Sequence, residues 1–533
     1  MMDTPGHVFI VQGDIRKLAC DAWLMPCDLS MRPLDNWTSY PEPLPLDFVW
    51  PDVPDDWESY GRRAVRLDGW PRRAGQPWLV HVGASPSSGI DWYVEGARQY
   101  LEAAANDLDG KPPQYGRARH LLALPVVGTR YGGAKRHAGE VIRKLLPLMN
   151  EVARRSAVDV ALVTNDGPTF AAAQNERTTR RDRWASLDDA LFAEAGRLAA
   201  LAGRGELVLF LGAGVSAGAG LPTWGRLLKE LAVRAGVTEA EVAVLDRLPM
   251  LDQARIIGGR LGHGKLGPAV VETLQTDHHS LTHALLACLP VREIVTTNYD
   301  RLFELASEGV GQRVAVLPHM AVAGTERWIL KMHGCVTHPD DIVLTREDYI
   351  RYAERRAALA GIVQALLITR HMLFVGFSLE DDNFHRIVDA VRKAIHMTPD
   401  AGRVPFGTTL MLARNRLLEE LWSDDLGWVA MSEPVDPWAF DPATARRLEI
   451  FLDRLLAETD TRSAHILDRR YAAVLGESDE ALRDALVQFR AGVPPLARRS
   501  AAWSQVEALF ERLGGEPTRP GRALVGGGPV KAG

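Results

Sequence analysis

The segment from residue 207 to residue 225, L-V-L-F-L-G-A-G-V-S-A-G-A-G-L-P-T-W-G, constrains this 533-residue chain more than any other. Its uncharged apolar run, Leu207 to Leu211, is typical of a buried β-strand. A glycine-dense turn, Gly212 to Gly220, comes next, and a helical pattern follows from Leu227. A turn with so few side chains lets main-chain N–H groups approach a diphosphate, and a helix N-terminus favours negative charge. The segment therefore predicts a nucleotide-binding α/β fold.

Charge and cysteine usage narrow the class of protein. The net charge of -6 gives no electrostatic reason to expect nucleic-acid binding. Cys20, Cys27, Cys288 and Cys335 include no C-x-x-C pair, which argues against a disulfide framework and a zinc site and fits a cytoplasmic location. The chain does not open with a basic and then apolar signal peptide. The glycines and proline of the segment 207–225 argue against a membrane-spanning helix. We expect no metal and no contact with membranes.

The length predicts two or three domains. Strand and helix patterns alternate in two long regions, which predicts an α/β fold for each. The charged joint 176–183 indicates a solvated linker or a helix start rather than a phosphate-binding patch, and the Gly/Pro-rich end indicates disorder. The expected organisation is an α/β domain, a linker with a helix, a parallel-sheet domain, an accessory helical region and a disordered tail, over residues 1–175, 176–205, 206–437, 438–512 and 513–533 respectively.

Apolar runs mark the strands of both regions. The predicted strands are 8–11, 22–25, 78–82, 121–124 and 158–163 in the first region, and 207–211, 293–296, 328–332, 372–375 and 409–412 in the second. Ligands of open parallel sheets bind at the carboxyl ends of strands. Four turns of the second region therefore become candidates for a site.

The first two turns carry backbone and amide chemistry. G-A-G-V-S-A satisfies the pattern G-x-G-x-x-G/A, but a dinucleotide-binding dehydrogenase needs an acid about 20 residues on, and the nearest, Glu230, lies in a helical pattern. The turn T-T-N-Y-D places Asn298 and Asp300 on one face if it stays extended. They either hold ribose hydroxyls and a carboxamide or cap the next helix. Both interpretations stay open.

The third and fourth turns add a histidine, a serine and an acidic run. His333 ends a strand, where a histidine can act as a general base near neutral pH, although any one of 15 histidines is more often structural. Gly376 and Ser378 are placed to contact phosphate or ribose, and the acids 380–382 fit a helix N-terminus.

Together, G-A-G-V-S-A-G-A-G-L-P, T-N-Y-D, H-G and G-F-S-L occur in this order across about 170 residues. The set resembles the NAD site of the sirtuin fold, specifically that of the bacterial sirtuin-like NAD-cleaving effectors of anti-phage defence, over residues 206–430. Three departures from protein-deacylating sirtuins fit the NAD-hydrolysing branch. A zinc-binding cysteine quartet is missing from the sequence, Thr223-Trp224 replaces a Phe-Arg pair, and Thr297 replaces the glutamine before the asparagine.

The resemblance implies a role for each matching residue, with NAD as the substrate and no metal. The diphosphate would be cradled by Gly212, Ala213, Gly214 and Ser216. Asn298 would hold the nicotinamide ribose or the attacking water, Asp300 would bind the carboxamide, and His333 would be the base. Gly376 and Ser378 would line the adenosine-ribose side.

The N-terminal region resembles a macro domain, a family that binds ADP-ribose, through G-D-I-R-K-L-A-C-D-A-W-L-M-P and L-L-A-L-P-V-V-G-T-R-Y-G-G. The likeness implies an ADP-ribose-type ligand with its adenine at Asp14 and its diphosphate at Gly128, Gly132 and Gly133. Pro26-Cys27-Asp28-Leu29 replaces the usual Asn-rich loop, which weakens an ADP-ribose hydrolase assignment. Asp14 is equally well placed to cap a helix, and a sensor and a structural role stay open.

The expected architecture is α/β: a macro-like domain, then a sirtuin-like Rossmann-type parallel-sheet domain without a zinc module, then a helical region. The leading hypothesis is an NAD glycohydrolase that depletes NAD when triggered. The alternatives are a non-catalytic NAD or ADP-ribose sensor, a protein deacylase and a dehydrogenase. An always-active NAD hydrolase would poison its host, so we expect control by homo-oligomerisation or by a defence-system partner.

Overall fold

The computed structural model describes residues 5–516 apart from 46, 58–60, 72–73, 83–88, 130–132, 179–180, 396–404, 434–435, 437–439 and 460–462. Its strands are β1 Val8–Gln12, β2 Ala22–Cys27, β3 Ala64–Arg66, β4 Gln76–His81, β5 Leu121–Leu124, β6 Asp159–Thr164, β7 Leu207–Leu211, β8 Glu293–Thr296, β9 Val314–Leu317, β10 Arg327–Lys331, β11 His371–Val375, β12 Gly407–Met411 and β13 Leu426–Ala430. Its α-helices are α1 Asp35–Thr38, α2 Ile90–Leu108, α3 Ala138–Ser156, α4 Gly167–Thr178, α5 Asp189–Gly203, α6 Gly214–Ala217, α7 Trp224–Arg234, α8 Glu239–Leu245, α9 Met250–Leu261, α10 Leu266–Thr273, α11 Leu281–Cys288, α12 Leu302–Gly309, α13 Arg346–Arg355, α14 Ala357–Thr369, α15 Asp382–Ala394, α16 Arg416–Leu421, α17 Pro442–Glu458, α18 Glu477–Gly492 and α19 Ala501–Arg512.

The strands form two sheets, one in each predicted α/β region. The first has the order β1-β6-β5-β2-β4-β3, and all its pairs are parallel except β3–β4. Its interior strands are near-continuous apolar runs because helices cover both faces of the sheet. The predicted α/β class is confirmed.

The second sheet is parallel throughout, with the order β13-β12-β11-β7-β8-β10-β9. The chain leaves the central strand β7 toward β8 on one side and later returns to β11 on the other side. Strand order therefore reverses between β7 and β11, and the crevice outside the carboxyl ends of such a pair is where open α/β sheets bind ligands. Gly212 follows β7 and Gly376 follows β11, so both lie at this crevice.

Helix α17 is part of the core, although the sequence assigns it to an accessory region. It packs against α5, α11 and β1, and most of its residues are buried. Its Asp453 is fully buried and accepts hydrogen bonds from Arg177 Nη1 at 2.8 Å and Trp184 Nε1 at 2.9 Å, with His7 Nε2 also at 2.9 Å. Arg177, predicted to lie in a solvated linker or at a helix start, is only 3% exposed because α4 continues through it and Asp453 neutralises it.

The two sheets are joined at the carboxyl end of β1. Gln12 donates from its main-chain N to Cys288 Sγ at 3.2 Å and from Nε2 to the carbonyl of Val310 at 3.1 Å. A parallel bridge pairs Leu18 with His279. The first sheet therefore contacts the ends of α11 and α12 in the second domain.

Two buried histidines near this junction make stability depend on pH. Burial lowers the pKa of His279 to about 3 and that of His283 to about 4. Above the unfolded value near 6.5 both are neutral in either state, whereas below it only the unfolded chain gains the protons. We expect the free energy of unfolding to fall by about 2 kcal/mol per histidine between pH 7 and pH 5.

Urea denaturation of wild type and of His279→Gln at both pH values checks this. The variant should lose less stability between the two pH values by roughly 2 kcal/mol. An equal loss in both proteins would contradict the assignment.

The predicted tail is partly described. The carbonyl of Leu513 accepts from Leu467 N, and Gly515 N donates to the carbonyl of Phe510, so residues 513–516 continue the fold. Residues 517–533 lie outside the described residues. Within the described ranges, no helix combines the length and apolar character needed to cross a membrane.

Candidate active site

The glycine turn after β7 and the turn after β11 touch main chain to main chain. Gly212 N donates to the carbonyl of Val375 and Gly214 N to that of Gly376, both at 3.0 Å. A Cβ on Gly212 would lie 2.4 Å from the carbonyl oxygen of Gly376, and one on Gly376 would lie 2.6 Å from Val215 N. Gly376 also has φ +64°, which favours glycine. Glycine is therefore needed at these positions because the main chains of the two turns lie too close together for a side chain between them.

The turn differs in one respect from the prediction. A four-residue helix, α6, lies inside it, with half-buried Ala213 just before and exposed Gly214 at its start. The longer helix α7 begins only at Trp224. A periodicity window that spans several turns of helix does not detect so short an element.

Side chains of the T-N-Y-D turn brace the glycine turn. Asn298 Nδ2 donates to the carbonyl of Gly212 at 3.0 Å and to Ser216 Oγ at 3.3 Å. Ser216 Oγ donates in turn to Asp300 Oδ2 at 2.8 Å, and Asp300 Oδ1 accepts from Leu302 N at 3.0 Å. The structure thus brings together four predicted site residues. Asp300 lies two residues before α12 and accepts from the N–H of its first residue, which agrees with the capping interpretation, and Asn298 is half-buried at the crevice.

The T-N-Y-D turn also contacts a buried ion pair, Lys331–Glu304, which the sequence analysis does not predict. Lys331 Nζ, at the end of β10, lies 3.0 Å from Glu304 Oε1 and donates to the main-chain carbonyl of Asp300. Both charged side chains are almost fully buried. Burial lowers the pKa of Lys331, but the negative charges of Glu304 and Asp300 outweigh it and raise the pKa. Lys331 therefore stays charged and fixes the position of Asp300.

His333 follows β10 and faces a carboxylate. Its Nε2 lies 3.3 Å from Asp381 Oδ2, close enough for an ion pair, although the geometry at Nε2 is not that of a hydrogen bond. Asp381 caps α15 by accepting from Phe384 N at 2.9 Å, which confirms that the acidic run begins a helix. Tyr349 Oη donates to the same carboxylate at 2.8 Å.

Electrostatics keep Asp381 ionised. Burial raises its pKa, but the charge of His333 and the hydrogen bonds from Phe384 N and Tyr349 Oη lower it to about 2. The rings of Tyr349 and Tyr352 lie 5.4 Å and 6.1 Å from the His333 ring and enclose the pair. A charge in such an enclosed place acts more strongly than in water. The ionised carboxylate therefore faces the imidazole as a fixed negative charge.

The two groups of side chains are linked through one main-chain residue. Tyr299 Oη, from the T-N-Y-D turn, donates to the carbonyl of Val343 at 2.8 Å, while Val343 N donates to the carbonyl of His333 at 2.8 Å. A displacement of the T-N-Y-D turn would therefore also displace the main chain at His333.

In the fourth turn, Ser378 is exposed at the mouth of the crevice, and Phe377 packs on Phe210 with ring centroids 4.6 Å apart.

In the first domain, Asp14 caps a 3-10 helix, Ile15–Lys17. Its carboxylate accepts from Arg16 N at 3.1 Å and from Arg16 Nε at 2.8 Å, as the capping interpretation expects. Gly128 (φ +75°) accepts at its carbonyl from Ala134 N at 3.0 Å, and Gly133 also has a positive φ. Gly132 lies outside the described residues. The ligand role of these residues stays a prediction.

The described part of the chain contains no group of three or more His, Cys, Asp or Glu side chains that could hold a metal ion. All four cysteines are buried and free.

Comparison with known families agrees with the geometry. Residues 292–421 match the SIR2-like domain. This stretch carries the T-N-Y-D turn, His333, Asp381 and the strands from β8 to β12. The chain therefore contains a SIR2-like domain, in a Rossmann-like parallel sheet.

Part of the chain is also similar in sequence to individual proteins of known name. The chain is similar to NAD(+) hydrolase ThsA of Bacillus cereus (strain MSX-D12), with 31% identity over 192 residues, 35% of this chain and 40% of that protein. ThsA of Cytobacillus dafuensis is 29% identical over 34% of this chain and 37% of its own length. Defense-associated sirtuin 2 of Bacillus subtilis is 27% identical over 38% of this chain and 20% of its own length. The aligned part thus spans less than half of each relative.

A solved structure, Alphavirus P23pro-zbd, covers 62% of this chain and 46% of its own length, with 12% identity and a TM-score of 0.22. A likeness at that level carries no argument.

Proposed function

We propose that this chain is an NAD glycohydrolase that cleaves the nicotinamide–ribose bond to give nicotinamide and ADP-ribose, linear or cyclic. The carrying observation is that the crevice beside β7 and β11 joins Asn298, Ser216 and Asp300 in one hydrogen-bonded group on the glycine turn. The NAD(+) hydrolase names of the ThsA relatives support the same activity.

Cleavage passes through an oxocarbenium-like ribose cation, so the protein must position NAD and stabilise positive charge. In our proposal the glycine turn holds the diphosphate and Ser378 lines the adenosine-ribose side. Asn298 orients the nicotinamide ribose or the attacking water. His333 accepts the proton that water or a ribose hydroxyl loses, and the Asp381 carboxylate stabilises the imidazolium. Hydrolysis to linear ADP-ribose consumes one water per NAD, cyclisation consumes none because a group of the same molecule attacks the ribose carbon, and each reaction releases one proton.

The test is incubation of the full chain with NAD over a range of protein concentrations, with and without ADP-ribose, followed by product identification. Nicotinamide and an ADP-ribose product in equal amounts are expected. Saturable NAD binding without nicotinamide release would favour the alternative, a non-catalytic NAD or ADP-ribose sensor. Turnover of acyl-lysine peptides would favour a deacylase, and hydride transfer a dehydrogenase.

Lys331 should be a positioning residue in this reaction. Lys331→Met removes the group that holds the Asp300 carbonyl, and we expect kcat to fall by roughly tenfold to a hundredfold because small displacements of a positioned group are costly. NAD affinity should stay within about threefold, since the main-chain hydrogen bonds that join Gly212 and Gly214 to the turn after β11 do not involve Lys331. Lys331→Arg should recover part of kcat.

Steady-state kinetics and equilibrium NAD binding on folded protein measure both quantities. Lys393→Met is the matched control, because Lys393 pairs with Asp389 at 2.6 Å on the surface. A fall in NAD affinity equal to the fall in kcat would contradict a positioning role.

The cellular setting is also part of the proposal. We propose a triggered, cytoplasmic, NAD-depleting effector of anti-phage defence, held in check by homo-oligomerisation or a defence-system partner. The relative called Defense-associated sirtuin 2 supports this setting. An ADP-ribose-type ligand at Asp14, Gly128 and Gly133 of the macro-like region would supply the trigger.

A further inference from the structure

The last two helices, α18 and α19 with the 3-10 turn Ala497–Arg499 between them, form a C-terminal hairpin of residues 477–512. Helix α18 has 16 residues, and none of them is buried. An isolated helix of this length is marginal in water, and tertiary packing normally stabilises helices in proteins. Something in solution should therefore cover this hairpin.

Large apolar side chains are exposed along the hairpin. Phe489 is 54% exposed although its ring approaches those of Trp503 and Phe510 of α19, at 6.4 Å and 6.5 Å between centroids. The exposed set is Leu482, Val487, Phe489, Leu496 and Leu509. A cluster of exposed apolar side chains rimmed by polar groups marks an interaction surface.

Charge on the hairpin is divided between its two halves. The first turn of α18 is acidic, with Glu477, Asp479 and Glu480, whereas the far end carries Arg490, Arg498 and Arg499. Within the described residues, no carboxylate pairs with these arginines, and no base pairs with Glu477 or Glu480. Arg490 and Arg498 donate to main-chain carbonyls instead.

We propose that a second copy of this chain covers the hairpin, with the two α18 helices antiparallel about a two-fold axis. A two-fold contact of this kind is self-complementary, because a residue i of one copy contacts residue j of the other copy, and residue j of the first contacts residue i of the second. The acidic half of one α18 then lies against the basic half of the other, and the apolar side chains between them become buried. One and the same surface therefore supplies both the acidic and the basic groups of the proposed contact.

The chain's own C-terminus is a poorer occupant. The described part of the chain ends at Glu516, whose main-chain carbonyl accepts from Arg490 Nη2 at 2.7 Å, and residues 517–533 follow in the sequence. That segment contains two arginines and one lysine but no acid, so it cannot neutralise the three arginines at this end. Charge therefore favours a second copy over the tail.

The test is the self-association constant of the full chain, measured by sedimentation at micromolar concentration. Leu482→Glu/Phe489→Glu should weaken association by roughly tenfold or more, since charged groups replace buried apolar ones. Leu417→Glu is the matched control, because Leu417 is an apolar side chain 77% exposed on α16, away from the hairpin. Removing residues 517–533 should leave the constant unchanged.

Charge reversal separates this contact from other modes of association. Glu477→Arg/Glu480→Arg alone and Arg490→Glu/Arg499→Glu alone should each weaken association, whereas all four together should restore it. Three results would overturn the proposal. The wild type could be monomeric, the Leu482→Glu/Phe489→Glu variant could associate as strongly as wild type, or the variant with all four charge reversals could fail to regain association. Appearance of dimers only after removal of residues 517–533 would identify the tail as the occupant and also overturn it.

Discussion

Replacing His333 with alanine should lower the rate of nicotinamide release from NAD by about 10²–10⁴-fold, the range that a positioned acid–base group contributes. His333 is 4% exposed and faces the ionised Asp381 at 3.3 Å. Alanine removes the proposed proton acceptor but leaves the glycine turn and the hydrogen bonds of Asn298 in place. NAD binding should therefore persist. Asn298→Ala should cause a loss of similar size by releasing both Gly212 and Ser216.

The measurement is product formation together with equilibrium binding of NAD by the same preparations. His263→Ala is the matched control, because His263 is an exposed histidine outside the crevice. Full activity in both His333→Ala and Asn298→Ala would eliminate the proposed site. Loss in both variants with binding retained in His333→Ala would support the assigned roles.

Replacing Asp453 with alanine should lower the free energy of unfolding by about 3–5 kcal/mol, the cost of leaving one charge of a buried pair without its partner. Asp453 is fully buried, and its carboxylate is in hydrogen-bond contact with the side chains of Arg177, His7 and Trp184. Burial raises its pKa, but Arg177 and His7 outweigh burial and lower it. The carboxylate is therefore the charged partner on which Arg177 depends.

Chemical denaturation of wild type and Asp453→Ala at neutral pH checks this value. Asp389→Ala provides the comparison, since Asp389 pairs with Lys393 on the surface and should cost about 0.5 kcal/mol or less. Similar losses for the two variants would show that α17 contributes little through its charged contacts.

The strands that the sequence predicts are confirmed, and those it misses share one property. β3, β9 and β13 are edge strands of the two sheets, and only a minority of their residues are buried. Edge strands need no long apolar run because one side faces solvent or loops. β1 is also an edge strand, but α17 and α11 cover it, and its buried apolar residues make it predictable.

For the candidate site, the motifs identify residues at strand ends but not their partners. Asn298, Asp300 and Ser216 meet as expected because parallel strands bring their carboxyl ends to one edge. Asp381 carries a signal only as part of an acidic run, and its contact with His333 depends on how α15 docks. Lys331 and Glu304 lie 27 residues apart and carry no local signal, because a buried ion pair is defined only by tertiary structure.

Helix α17 has a consequence for the order in which the chain is made. Its Arg446 holds Asp159 of β6 at 2.7 Å, and its Asp453 completes the charges around His7 and Arg177. The N-terminal domain leaves the ribosome first, yet it lacks these partners until residue 458 has been synthesised. The SIR2-like sheet lies between them in the chain. A ribosome that stops early therefore leaves a fragment whose first domain lacks its buried charge partners, so complete folding of that domain is tied to synthesis of α17.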